Sequence, residues 1–102
     1  MNTYRDSRVR IEESVGDSFV VSLESLPSGG YSWTANFDED MLDLTRSRDF
    51  TSRSAAIGAS GQEEFEFKAK RPGESQISLT YKRPWEKEPR KTELFQVRIT
   101  GS

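Results

Sequence analysis

Leu26-Pro27-Ser28-Gly29-Gly30-Tyr31-Ser32-Trp33 is the stretch on which the reading of this chain turns. Pro27 fixes its own φ and offers no N–H, while Gly29 and Gly30 permit positive φ and close backbone approach. Alternating apolar residues flank the stretch: Phe19, Val21 and Leu23 lead in, and Tyr31, Trp33 and Ala35 lead out. Period-two alternation on both sides of a Pro/Gly segment predicts two strands joined by a shaped loop.

The same alternation recurs along the chain. Val9 and Ile11 sit among charged residues and predict a first, edge-like strand, followed by a turn at Val15-Gly16-Asp17-Ser18. Phe19–Glu24 and Tyr31–Asn36 are the second and third strands. Leu42 and Leu44 predict a short fourth strand over Met41–Arg46. The stretch with Arg46, Arg48, Phe50 and Arg53 lacks pattern and reads as a surface connection. Glu63–Lys70 places Phe65, Phe67 and Ala69 inward, and Ser75–Lys82 does the same for Ile77, Leu79 and Tyr81. Thr92–Thr100 does so for Phe95, Val97 and Ile99. Turn residues Pro72-Gly73 separate two of these strands in the preferred order. No segment sustains a 3.6-residue period. Seven short alternating strands between Gly/Pro loops predict an all-β, immunoglobulin-like antiparallel β-sandwich with little or no helix. Residues 1–7 read as a flexible N-terminal arm and 8–100 as a single domain.

Composition narrows the function. The 102 residues are 32% hydrophobic and 31% charged, with a net charge of −2 and both signs interspersed, so no basic face points to nucleic acid or an anionic membrane. No apolar run approaches the roughly 18–20 residues of a membrane span. The polar start, Met1-Asn2-Thr3-Tyr4-Arg5-Asp6-Ser7, does not resemble a leader. The reading is of a soluble protein of open compartment, periplasmic or secreted if a leader has been removed. The chain has neither cysteine nor histidine, so there is no disulfide framework, and the usual zinc ligands and nucleophile–base pairs are missing. The expectation is a protein that is not an enzyme and takes no cofactor or metal.

In a sandwich wound this way, the loops after the second, fourth and sixth strands emerge at one end. They are the opening stretch, the small-residue segment Ile57-Gly58-Ala59-Ser60-Gly61-Gln62, and the charged loop Arg83–Arg90 that begins Arg83-Pro84-Trp85-Glu86. Two Gly-rich loops and a Trp loop on one rim suit binding. An exposed Trp beside an Arg is a common hot spot, and Pro84 limits the freedom lost on docking. Taken singly, each Gly loop also reads as a tight turn, and Trp85 as a side chain folded back on the core.

Pro-x-x-Gly-aromatic-x-Trp, then Gly-x-x-Gly before a Phe-rich strand, then Tyr-x-Arg-Pro-Trp resembles the chagasin family of cysteine-peptidase inhibitors. The similarity runs from about Val9 to Ile99. It implies a three-loop wedge that occludes the active-site cleft of a papain-like cysteine peptidase, reversibly and without chemistry of its own. On that resemblance, Leu26, Pro27, Ser28, Gly29, Gly30 and Tyr31 lie over the peptidase's catalytic pair. Gly58, Ala59, Ser60, Gly61 and Gln62 follow the unprimed side, and Arg83, Pro84, Trp85 and Glu86 the primed side. The free inhibitor is expected to be a monomer. Leu26 and Ser28-Gly29 depart from the family's Asn and Thr-Thr. Each hydrogen bond so lost is worth about 0.5–1.5 kcal/mol net, which weakens inhibition. The alternative is a non-inhibitory immunoglobulin-like module that uses the same rim for another protein or a glycan.

Overall fold

The computed structural model describes residues 1–25, 30–51 and 61–101. These residues form eight strands and, among the described residues, no helix. In chain order they are β1 (Asn2–Tyr4), β2 (Ile11–Ser14), β3 (Ser18–Ser25), β4 (Ser32–Phe37), β5 (Leu42–Thr51), β6 (Gly61–Ala69), β7 (Gly73–Lys82) and β8 (Lys91–Thr100). One sheet has the order β1-β3-β6-β5 and the other β2-β8-β7-β4.

The apolar residues of alternating parity meet between the sheets. Phe19, Val21, Leu23, Phe65, Phe67 and Ala69 come from the first sheet, and Ile11, Trp33, Ile77, Leu79, Tyr81, Phe95, Val97 and Ile99 from the second; all are buried. Aromatic packing fixes the layer spacing. Phe67 stacks on Phe19 at 5.7 Å within its sheet and meets Phe37 of the facing sheet edge-on at 5.1 Å.

Four expectations need correction. Asn2–Tyr4 is a strand rather than an arm: it pairs in parallel with β3, and the Tyr4 ring packs edge-on against Phe19 at 5.9 Å. The first predicted strand shifts to Ile11–Ser14, parallel to β8, and leaves Val9 more than half exposed in a turn. Each sheet therefore has one parallel edge pair, and the remaining pairs are antiparallel.

Third, the fourth predicted strand does not stop at Arg46. β5 runs to Thr51, with its register against β6 shifted between Leu44 and Arg46. Thr45 is the extra residue, and its hydroxyl donates to the Glu66 carbonyl at 3.2 Å and to the Glu66 carboxylate at 3.0 Å. A bulge of this kind inverts the parity of the residues beyond it. Arg46 and Arg48 thereby face Glu66 and Glu64 in register, which is why the stretch looked unpatterned. Leu44, just before the bulge, is 40% exposed, whereas Leu42 is fully buried. Fourth, Gly61 and Gln62 belong to β6, opposite Ser25 and Glu24, and not to the preceding loop.

Phe67 has no exposure and touches aromatic rings from both sheets. Phe67→Ala is expected to lower the unfolding free energy by about 3–5 kcal/mol, read from urea melts, with little change in the m-value.

Candidate functional site

Strand register places the loop ends. Ser25 at the end of β3 and Thr51 at the end of β5 both pair with Gly61 at the start of β6. In the other sheet, Ser32 at the start of β4 faces Lys82 at the end of β7, and Tyr81 faces Lys91 at the start of β8. The β3–β4, β5–β6 and β7–β8 connections therefore all leave from one end of the sandwich. Leu26, Pro27, Ser28, Gly29, Gly58, Ala59 and Ser60 lie outside the described residues. Gly30, Tyr31, Gly61, Gln62, Arg83, Pro84, Trp85 and Glu86 are described.

The rim stands on a contact between the sheets. Trp33 lies on β4, at the edge of its sheet, and its backbone N–H points across the sandwich to Glu63 of β6. Both carboxylate oxygens accept it, at 3.1 and 3.2 Å, and the indole N–H of Trp33 donates to the Glu24 carbonyl at 2.9 Å. Glu63 is only 7% exposed. Its position follows from sequence parity, since it occupies the inward face of the Glu63–Ala69 alternation. Its charge hid it from a reading based on apolar residues. Burial pushes its carboxyl above the usual range and nearby Asp49 adds to the rise, while the bonds from Trp33 and Ser25 pull the other way.

Above Trp33 rises an aromatic column. Tyr81 packs on Trp33 at 4.8 Å and Tyr31 stacks on Tyr81 at 5.2 Å. The Arg83 guanidinium sits over the Tyr31 ring at 4.5 Å and near the Trp85 ring at 5.7 Å. Trp85 itself is 72% exposed, so it does not fold back on the core. The loop carrying it is braced at its start. Arg83 N–H donates to the Glu86 carboxylate at 3.1 Å, and Glu86 N–H donates to the Arg83 carbonyl at 3.1 Å. Gly30 has φ +79, and a Cβ there would lie 3.5 Å from Trp85 Cη2. The β3–β4 and β7–β8 loops thus touch. Gln62 holds a different place, with its side-chain carbonyl accepting from Ser22 Oγ at 3.4 Å on the face of β3 and β6.

An immunoglobulin-like sandwich with a one-ended rim of loops and a proud Trp is a binding scaffold by construction. The model of the chagasin family peptidase inhibitors matches residues 13–99. Chagasin of Trypanosoma cruzi is 29% identical over 94 residues, covering 87% of this chain and 86% of that protein. Amoebiasin-2 of Entamoeba histolytica is 28% identical over 101 residues, covering 95% and 82%. The crystal structure of the cysteine protease inhibitor EhICP2 from Entamoeba histolytica superposes with a TM-score of 0.80 at 25% identity, over 96% of each chain. The chain belongs to the chagasin family of cysteine-peptidase inhibitors. It is an inhibitor of cysteine peptidases and not an enzyme. Among the described residues, no helix is long and apolar enough to cross a membrane.

The raised Glu63 pKa has a signed consequence. A carboxyl that titrates higher in the folded than in the unfolded chain binds its proton more tightly when folded, so its contribution to stability declines as pH rises through that window. Glu63→Gln keeps one acceptor for Trp33 N–H and cannot ionise. In paired urea melts, the stability of the wild type relative to Glu63→Gln should therefore increase as pH falls from neutral towards the ordinary carboxylate range. A flat or opposite trend contradicts the assignment.

Proposed function

We propose that this chain inhibits papain-like cysteine peptidases reversibly, by seating the rim formed by its three loops in the substrate cleft. The observation that carries the reading is the joining of two loops at the tip. Gly30 backs onto Trp85, and Tyr31 and Arg83 stack beneath them on the buried Tyr81 and Trp33. The β5–β6 loop springs from Gly61 at the same end.

The physical role of the rim is to be rigid before it binds. Ordering a loop on binding subtracts from affinity, so a tip already fixed on a core column retains more of its contact energy. Trp85 serves as the apolar anchor on the primed side, where Arg83, Pro84 and Glu86 hold its stem. The opening stretch from Leu26 to Tyr31 lies over the catalytic Cys–His pair and denies it water and substrate. Gly58, Ala59 and Ser60, rooted on the β6 residues Gly61 and Gln62, follow the unprimed side, where their small side chains let backbone groups meet the cleft wall. The chain contributes no nucleophile, acid or base, consistent with its lack of Cys and His. Passing the peptidase nucleophile in a geometry unlike that of a substrate leaves the loop uncut.

The test is steady-state inhibition of papain and a cathepsin L-type enzyme, with the inhibitor checked for cleavage afterwards. Wild type should inhibit competitively and emerge intact, and an absence of inhibition at high micromolar concentration across such enzymes contradicts the reading. Trp85→Ala should raise Ki at least about thirtyfold, the loss expected of a hot-spot aromatic. Gly30→Ala, which forces a Cβ into positive φ, should raise Ki about five- to tenfold through strain of about 1 kcal/mol at the tip.

A further inference from the structure

The β7–β8 loop is held at its neck by residues that grip the neighbouring loop. Tyr81 and Lys91 are register partners at the ends of the two strands, and Arg90 N–H donates to the Tyr81 carbonyl at 2.7 Å to close the loop. Arg83 and Arg90 stand on the outgoing and returning arms. Both guanidinium groups lie over the one ring of Tyr31, 4.5 Å and 5.6 Å from its centroid. Arg90 Nη1 also donates to the Tyr31 hydroxyl at 3.4 Å. Tyr31 in turn is stacked on Tyr81 at 5.2 Å with a 21° interplanar angle.

Tyr31 is therefore a peg from one loop around which the other loop closes. Cations within about 6 Å of an aromatic centroid are attracted to its face, and two of them on one ring pin both arms of the loop. Pro84 and Pro89 restrict the chain between those arms. The pinned element is the stem of Trp85, whose ring lies near Arg83 and whose Cη2 would lie 3.5 Å from a Cβ added at Gly30. Neither the loop motifs nor the alternation pattern singles out Arg90. It bonds to Tyr31 and Tyr81, below the exposed tip.

We propose that Arg90 is a positioning residue of the inhibitory rim: it clamps Tyr31 from the return arm of the β7–β8 loop and so presents Trp85 to the peptidase already oriented. The proposal rests on the reading of this rim as the peptidase-binding surface. Arg90 acts through Trp85, and the peptidase does not read its charge.

The experiment combines two readouts on Arg90→Ala, Arg90→Lys and Tyr31→Phe, each checked for a cooperative thermal melt. The first is the ¹⁵N heteronuclear NOE of the Trp85 indole N–H in the free inhibitor, with the buried Trp33 indole as internal reference. It should fall in Arg90→Ala while Trp33 is unchanged. It should recover in Arg90→Lys, which keeps a cation over the ring, and decline partly in Tyr31→Phe, which loses only the hydroxyl. An unaltered Trp85 value in Arg90→Ala overturns the proposal.

The second readout is Ki against papain in a double-mutant cycle with Trp85→Ala. Arg90→Ala alone should raise Ki about three- to tenfold, and in the Trp85→Ala background by less than about twofold. Equal losses in both backgrounds mean that Arg90 meets the peptidase directly, and they overturn the positioning role. If wild type fails to inhibit papain-like enzymes at all, the functional reading falls. The indole measurement, which needs no peptidase, still decides whether Arg90 holds Trp85.

Discussion

The contact on which the rim depends is the Glu63 carboxylate accepting the Trp33 backbone N–H across the sandwich. β4 is an edge strand, and an N–H at an edge that is buried rather than wet must find a partner. Supplying one from the facing sheet requires an inward carboxylate, which is costly to bury as an ion and is reflected in its raised pKa. The return is positional. With Trp33 fixed at its backbone by Glu63 and at its indole by Glu24, Tyr81 has a floor to pack on, and Tyr31 and Arg83 have a place in the column above.

A second buried carboxylate performs the matching task at the other pole. Glu13 of β2 accepts from Asn2 Nδ2 at 2.8 Å and from the Tyr4 hydroxyl, tying β1 of one sheet to β2 of the other. Close by, Gly16 N–H donates to the Ala69 carbonyl, and Ala69 N–H donates to that of Asp17, closing the turn onto β6. Each end of the sandwich thus carries one acidic cross-sheet tie. Short turns sit over the tie at the closed pole, and long loops over the tie at the rim. That division of labour gives a small disulfide-free domain one end closed by short turns and one end given over to longer loops.

Much of this was legible in the sequence. Period-two alternation identified the inward residues of β3, β6, β7 and β8, and every apolar one of them is buried. The three loop motifs by themselves pointed to the chagasin family. Legibility failed where pattern and physics part. The Thr45 bulge inverts parity in β5, so Arg46 and Arg48 looked like a connection although they belong to a strand. Asn2–Tyr4 carries a single aromatic, and its pairing with β3 depends on Phe19 and Glu13 being presented by distant strands. Glu63 occupies an inward parity position, but a charged residue there gives no apolar signal of burial. The clasp of Arg83 and Arg90 on Tyr31 spans two loops and has no local signature.

Function here arises from architecture rather than reactive groups. For an inhibitor of cysteine peptidases that works through a binding surface, the decisive question is which pole meets the peptidase. Hydrogen–deuterium exchange of the inhibitor with and without excess papain answers that directly. The account predicts added protection at Gly30–Tyr31 and across the Arg83–Arg90 loop, with the Val15–Asp17 and Arg71–Gly73 turns unchanged. Protection confined to those turns, with the rim exchanging as freely as in the unbound protein, would contradict it.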